Sequence, residues 1–555
     1  MCRRVGCLRM SGVSREAPLG VQALQRASAA LCPRLLGRVN RLRLYQGSVL
    51  ALTYVTYMTY HLTRKPISVV KSVLHQNCSA LQPPPGVPPG DATWCDWPPF
   101  DTADSNALLG ALDSAFLFSY AAAMFVSGMV AERVDLRYFL SLGMLAAAAC
   151  CYVFGLGRTY GVHRMAYYLL AQAGAGVAQT SGWPGTVAAL GNWFGDAKKG
   201  LIFGLWNSHT SLGNILGTLL ASRWVEGDWA LSFIYPALVM GVAALLVWLF
   251  LVPLPAAVGL ALPARQQVAH GAHSDSEGED KEEHEDETPQ VIVGDQAASL
   301  RPSRQSTNHG PREAEATEHT SLLSRRGAAG GAAPAPVSLS RALAIPGVIE
   351  FSISLFFAKL VSYTFLYWLP LYINRSTSLT ARESGQLSTV FDAGGAAGAV
   401  LAGLLSDRSG APAAVCAVLY AACAPALLAY GMWGARWYWL NCLLLAVTGA
   451  LVNGPYALIT TAVSAELGTH SSLAGNSRAL ATVTAIIDGT GSIGAAVGPL
   501  LAGLVAARGA WGRVFLMLML CDLCALLALL RIAITEIKKI RQERRLSSPS
   551  RVRVE

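Results

Sequence analysis

Apolar residues along this chain fall in long, nearly unbroken runs, not in the periodic stripes of a soluble amphipathic helix. Six runs, at about 45–64, 105–131, 138–157, 165–190, 201–222 and 231–253, are followed after a polar stretch by six more at 345–373, 385–405, 413–431, 437–464, 477–506 and 512–534. Each is long enough to cross about 30 Å of hydrocarbon as a helix. The pattern predicts an all-α membrane protein: a tail over 1–44, a six-helix half over 45–253, a linker over 254–341, a second six-helix half over 342–534 and a basic tail over 535–555. The linker holds an acidic, His-containing run from Ser274 to Glu287 and then Ser-, Thr-, Gly-, Ala- and Pro-rich sequence. Such a composition cannot bury a core and reads as disordered.

Composition supports a polytopic chain, with 53% hydrophobic residues, 14% charged residues and a mean hydropathy of +0.40. The net charge of +9 would suit a nucleic-acid binder, but the cations flank apolar runs, as orientation signals do. Arg133, Arg137, Lys198 and Lys199 follow even-numbered runs, which puts both termini and the linker in the cytosol. The loop after the first run carries the glycosylation sequon at Asn77 and the pair Cys78 and Cys95, a possible disulfide. A second sequon, at Asn374, falls on the same predicted side. Cys521 and Cys524 have CxxC spacing but lie inside a span, so they read as packing residues. No metal-ligand spacing, cofactor motif or catalytic constellation appears, which argues against an enzyme.

Ionisable residues inside lipid are costly and usually functional. The first run ends in Tyr57, Tyr60, His61, Arg64, Lys65 and Pro66, and Lys359 stands in the seventh. The bland reading of the basic pair is snorkelling to the interface. The functional one is an anion site, with one cation from each half clamping a dianion at the interface between repeats. Asp392 and Asp488 then hold a cation while the site is empty, or carry a proton. His209 lies in the polar string Trp206 to Asn214, where its alternatives are packing and the cavity face. The halves also repeat a turn, Gly128 to Arg133 and Gly403 to Arg408, in which glycine admits close helix approach.

Tyr60-His61-Leu62-Thr63-Arg64-Lys65-Pro66, Gly182-Trp183-Pro184, Lys199-Gly200 leading to Trp206-Asn207, and the two Gly-to-Arg turns resemble the organophosphate:phosphate antiporters of the major facilitator superfamily. Within it, Phe357 to Thr364, Asn453-Gly454-Pro455-Tyr456 and Ile486 to Gly491 resemble the vertebrate sugar-phosphate exchangers. The resemblance implies a twelve-helix fold in the endoplasmic reticulum membrane and exchange of glucose 6-phosphate for inorganic phosphate by alternating access. It implies Arg64 as the family's first-helix arginine, with Tyr57 and His61 as neighbouring site positions and Tyr120 in the second helix; Asn453, from the string it opens, is a further candidate substrate contact. The bacterial members' seventh-helix arginine falls on Ser362 and their fifth-helix histidine on Thr210, which leaves Lys359 and His209 as substitutes. Lys65, about 100° round the helix from Arg64, must then face elsewhere, toward Asp392 or the rim. A proton-coupled transporter using Asp488 or Asp392 is the alternative, and a membrane phosphatase or scaffold the remote one. The expected partners are the two substrates and membrane lipid, without nucleic acid.

Overall fold

The computed structural model describes residues 17–31, 40–76, 78, 94–131, 133–194, 206–260, 342–464, 467, 477–506 and 510–547. Asn77 and nearly all of the predicted linker lie outside them. Every regular element among the described residues is helical. A short helix, α1 (Leu19–Leu31), lies within the predicted tail and packs on the N-terminal half: Val21 is buried, and a side chain at Gly20 would strike the Phe250 ring. The first span is two helices, α2 (Arg41–Arg64) and α3 (Pro66–Leu74). Next come α4 (Ser105–Ala131) and α5 (Leu136–Thr159), then a fourth span again in two pieces, α6 (Met165–Gln179) and α7 (Gly182–Trp193). The half ends with α8 (His209–Ser222) and α9 (Leu231–Phe250). The second half contains α10 (Val348–Ser376), α11 (Ala381–Ser409), α12 (Pro412–Trp433), α13 (Tyr438–Leu458), α14 (Ser477–Val505) and α15 (Trp511–Ser547). The last helix runs well past the expected end at 534.

Nine of these, α4, α5 and α9 to α15, are long and apolar enough to cross a membrane. Of the segments expected as the first, fourth and fifth spans, the first two are broken within the described residues, the first for a reason visible in its sequence. Pro66 has no N–H to offer the Leu62 carbonyl, so α2 stops and α3 begins with proline in its first turn. Thr53, Thr56, Thr59 and Thr63 return their hydroxyls to backbone carbonyls one turn back, so α2 carries polar residues without leaving them unpaired. The break at Lys65 corrects the boundary expected from the sequence. The chain continues as a buried helix to Leu74, where a loop from 65 was expected. Arg64 and Lys65, 5% and 2% exposed, therefore sit inside the first span and reach no interface.

Apolar association gains little inside hydrocarbon, so the helices are held by close packing and by interhelical hydrogen bonds. Glycine supplies the packing in a repeated register. Cβ atoms added at Gly213 and Gly217 of α8 would strike the carbonyl oxygens of Met58 and Leu62, and at Gly494 and Gly498 of α14 those of Phe356 and Leu360. Gly176 against Phe116 and Gly449 against Phe391 repeat the relation for α6 on α4 and α13 on α11. The two halves are thus copies of one packing scheme.

The halves meet toward one end. There Cys78 and Cys95 form a disulfide, Arg375 donates to the His75 carbonyl, Asn106 to that of Ala506, and the Arg382 amide to Glu226. One apolar core spans both halves at this end, from Val69, Phe100 and Leu109 to Trp368, Phe391 and Ala506. Toward the other end each half keeps a separate core, around Trp193, Trp206 and Met240 in the first and around Phe351, Tyr420 and Ile487 in the second. The Gly128 and Gly403 turns lie at that end, and a Cβ at either would meet nothing within 4 Å. The close approach expected of these glycines is absent among the described residues.

Candidate functional site

Arg64 is the last residue of α2, at the break with α3. Its Nε donates to Gln179 Oε1 at 2.7 Å, and its guanidinium lies over Tyr120 and Phe116, 5.0 and 5.5 Å from the ring centroids. Gln179 is the last residue of α6, so both partners stand at broken helices. The second break is built for contact: the Tyr60 hydroxyl meets Ser181 Oγ at 2.7 Å, and any side chain at Gly182 would strike the Tyr60 ring. Among the described residues, the terminal nitrogens of Arg64 have no hydrogen-bond partner and no carboxylate pairs with them. The cavity between Thr63, Arg64, Gln179, Phe116 and Tyr367 measures about 10 Å³, room for one water.

Lys65 turns away from Arg64, as adjacent helical positions require. Its Nζ lies 3.2 Å from Asp392 Oδ2. Asp392 Oδ1 accepts from Asn214 Nδ2 at 3.1 Å, and Asn214 Oδ1 is 3.2 Å from His61 Nδ1. The chain His61–Asn214–Asp392–Lys65 therefore crosses between the halves. Tyr57 packs on His61, 5.4 Å between centroids, and on His209, 4.6 Å. His209 is fully enclosed, with Trp206 at 4.2 Å and Tyr54 at 5.8 Å, and so sits behind Tyr57 in an aromatic cage.

In the second half Lys359 Nζ bonds Asp488 Oδ1 at 2.7 Å and faces the Tyr456 ring at 5.7 Å. Tyr120, under the Arg64 guanidinium, also feels the charges of Lys359 and Asp488. Asn453 accepts from Ser362 Oγ at 2.7 Å and donates to the Gly449 carbonyl, so it joins α10 to α13. The glycine register adds a point the sequence did not show. With Met58 matched to Phe356 and Leu62 to Leu360, Lys359 is the repeat mate of His61, and Ser362 that of Arg64. The two cations are not symmetry equivalents.

Three polar residues escaped the sequence reading. Lys71 forms a completely buried ion pair with Asp113, donates to the Tyr367 carbonyl at 3.2 Å and lies 4.1 Å over the Trp368 ring. It was hidden by the premature end of the first span, although a lone Asp113 in the second called for a cation. Gln179 and Asn214 are uncharged and raised no alarm; an amide beside Gly182-Trp183-Pro184, or within the polar string after Trp206, is the signal that was available. Asn374 stands in the last turn of α10, half-buried, its amide donating to the Leu379 carbonyl.

The profile of the Major Facilitator Superfamily matches residues 92–485. Glucose-6-phosphate exchanger SLC37A2 of Bos taurus is 47% identical over 480 residues, 86% of this chain and 92% of that protein. The human SLC37A2 exchanger is 46% identical over 484 residues, 86% of this chain and 90% of its own. The chain belongs to the Major Facilitator Superfamily, in the family of these exchangers. The murine exchanger SLC37A1 is similar too, 43% identical over 513 residues, covering 88% of this chain and 93% of that one. Among solved structures, a bacterial homologue of the human lysosomal transporter Spinster, inward-facing and unoccupied, superposes with a TM-score of 0.54 at 14% identity, over 90% of this chain and 97% of that one. That likeness is one of fold. The chain is a multi-pass membrane protein of this superfamily, and its exposed apolar residues, such as Leu142, Leu170, Val242, Val400, Val418 and Leu527, suit a lipid-facing surface.

Proposed function

We propose that the chain exchanges glucose 6-phosphate, or a closely related sugar phosphate, for inorganic phosphate across the endoplasmic reticulum membrane by alternating access. The observation that carries this reading is Arg64, a cation enclosed at the broken first helix with its terminal nitrogens unclaimed among the described residues. Arginine presents a planar fork that matches phosphate bidentately. The relatives bear the name of glucose-6-phosphate exchangers, which supports the sugar phosphate as one substrate. Both substrates present the same phosphoryl group. If only a neutralised site reorients across the membrane, strict exchange follows.

In this reading Lys359 is the second phosphoryl ligand and leaves Asp488 when substrate arrives, while Tyr57, His61, Tyr120 and Asn453 line the sugar side and His209 supports Tyr57. Lys65 and Asp392 act as a structural or gating pair. The disulfide end faces the lumen, with the termini and linker in the cytosol, and Asn77 is the better glycosylation acceptor because the Asn374 amide is already engaged. Pairing of Asp392 and Asp488 with lysines favours exchange over proton coupling, since neither carboxylate is free.

The test is uptake of labelled glucose 6-phosphate into vesicles reconstituted with the protein and preloaded with phosphate. Uptake should require internal phosphate and disappear in Arg64→Ala. Uptake driven by a pH gradient alone would establish the proton-coupled alternative, and release of phosphate from the sugar would point to a phosphatase.

A further inference from the structure

We infer that Gln179 is the positioning residue that keeps the Arg64 guanidinium both oriented and un-neutralised, and thereby sets the affinity for the phosphoryl group; this rests on the reading of Arg64 as its ligand. The inference starts from a contrast among the four buried cations of the described residues. Lys65, Lys71 and Lys359 each have an aspartate, Asp392, Asp113 and Asp488. Arg64, equally enclosed, has a neutral amide where the others have a carboxylate. A carboxylate would cancel the charge that a dianion needs, and an apolar residue would leave Nε buried and unpaired.

The amide's orientation is set by its surroundings. Thr63 Oγ1 spends its single proton on the carbonyls of Thr59 and Tyr60, so toward Gln179 it can only accept. Gln179 Nε2 donates to it at 3.2 Å, which turns Oε1 toward Arg64. Oε1 takes Nε, on the side of the guanidinium, and leaves the fork of terminal nitrogens open. The Tyr120 and Phe116 rings hold the guanidinium from its face. Gln179 is 2% exposed and ends α6 at the second helix break, so little room remains for it to swing away. One side chain thus determines where the fork points without occupying it.

The experiment compares Gln179→Glu, Gln179→Ala and Arg64→Ala in phosphate-loaded vesicles, together with the stabilisation of detergent-solubilised protein by inorganic phosphate. Gln179→Glu is expected to raise the KM for phosphate and for glucose 6-phosphate by the same factor, about tenfold to a hundredfold, as loss of a charge-assisted pair implies. Its melting temperature should rise, because Arg64 gains a counter-charge, while stabilisation by added phosphate should need about tenfold to a hundredfold more of it. Gln179→Ala should melt lower and show the same parallel rise in KM, with the maximal rate less affected. A merely structural glutamine would move stability and affinity together. Wild-type KM in both Gln179 variants, with exchange abolished in Arg64→Ala, overturns the positioning role and leaves the site reading intact. Wild-type exchange in Arg64→Ala overturns the site reading itself. Should Gln179→Glu not fold, Gln179→Ala decides by the split between affinity and turnover: a KM raised by the same factor for both substrates at a near-wild-type maximal rate supports the role, and an unchanged KM, or a maximal rate that falls in step with stability, overturns it.

Discussion

Removing one partner of the Lys71–Asp113 pair tests how the disulfide end is held. Both side chains are wholly shielded from solvent. Breaking such a pair from one side costs about 3–5 kcal/mol, because the survivor is a buried uncompensated charge. The two single variants should differ. After Asp113→Asn, Lys71 keeps the Tyr367 carbonyl at 3.2 Å and the Trp368 ring at 4.1 Å, so the loss falls near the lower bound, about 3 kcal/mol. After Lys71→Met, Asp113 keeps nothing, since its Oδ1 already lacks a partner and its Oδ2 loses the only one, and the loss approaches about 5 kcal/mol. The double variant Lys71→Met, Asp113→Leu should recover most of it, as buried ion pairs replaced by apolar residues commonly do. At about 1.4 kcal/mol per tenfold, the singles should unfold in detergent up to roughly a hundredfold and several-thousandfold faster, less whatever contact survives in the transition state. The assay is reaction of a thiol-sensitive dye with buried Cys151, Cys416 and Cys423 at fixed temperature. Wild-type kinetics in Lys71→Met, a reversed order of the singles, or a double variant worse than either would refute this account.

Three further outcomes follow from the geometry. Gly213→Ala places a methyl 2.4 Å from Met58 O, well inside contact distance, and should markedly lower the melting temperature in detergent, whereas Gly128→Ala, in open space, should leave it unchanged or raised. Cysteines at Asn106 and Ala506, whose groups hydrogen-bond at 3.2 Å, should cross-link and arrest exchange until reduced, with wild type run in parallel; an undiminished rate in the cross-linked protein would sink the idea that these ends separate. Asp488→Asn releases Lys359 from its partner at 2.7 Å, so phosphate should bind more tightly while turnover slows, and a raised KM would contradict that assignment.

The nine long spans among the described residues could be read from the sequence because hydrocarbon demands apolar length, and that demand is written residue by residue. Discontinuity is harder to read. Pro66 after Arg64-Lys65 looks like the end of a span, because charge and proline both terminate apolar runs, yet here they mark a bend inside one. The ion pairs were half-visible: Asp392 was available for Lys65, and Asp488 for Lys359, but the choice between them depended on helix rotation. The repeat relation of Lys359 to His61 needed the glycine contacts, since nothing in the two strings aligns them. Amide residues stayed hidden because hydropathy hardly registers a single Gln179 or Asn214 among alanines and glycines, although in a dry interior such groups decide where a charge points.

The glycines of α4 also define a mechanical element. Gly110 is wedged against Pro499 and Gly503 of the other half, while Gly128 on the same helix faces open space. The two are about 27 Å apart at 1.5 Å per residue, and Tyr120 lies near the middle. If α4 stays straight, it works as a lever: freeing Gly110 by a few ångströms swings Gly128 inward by a similar distance. Tyr120, with Arg64 against its ring, sits close to the fulcrum, where displacement is smallest. Arg64, the proposed anion ligand, can then stay nearly still while the path to it changes sides.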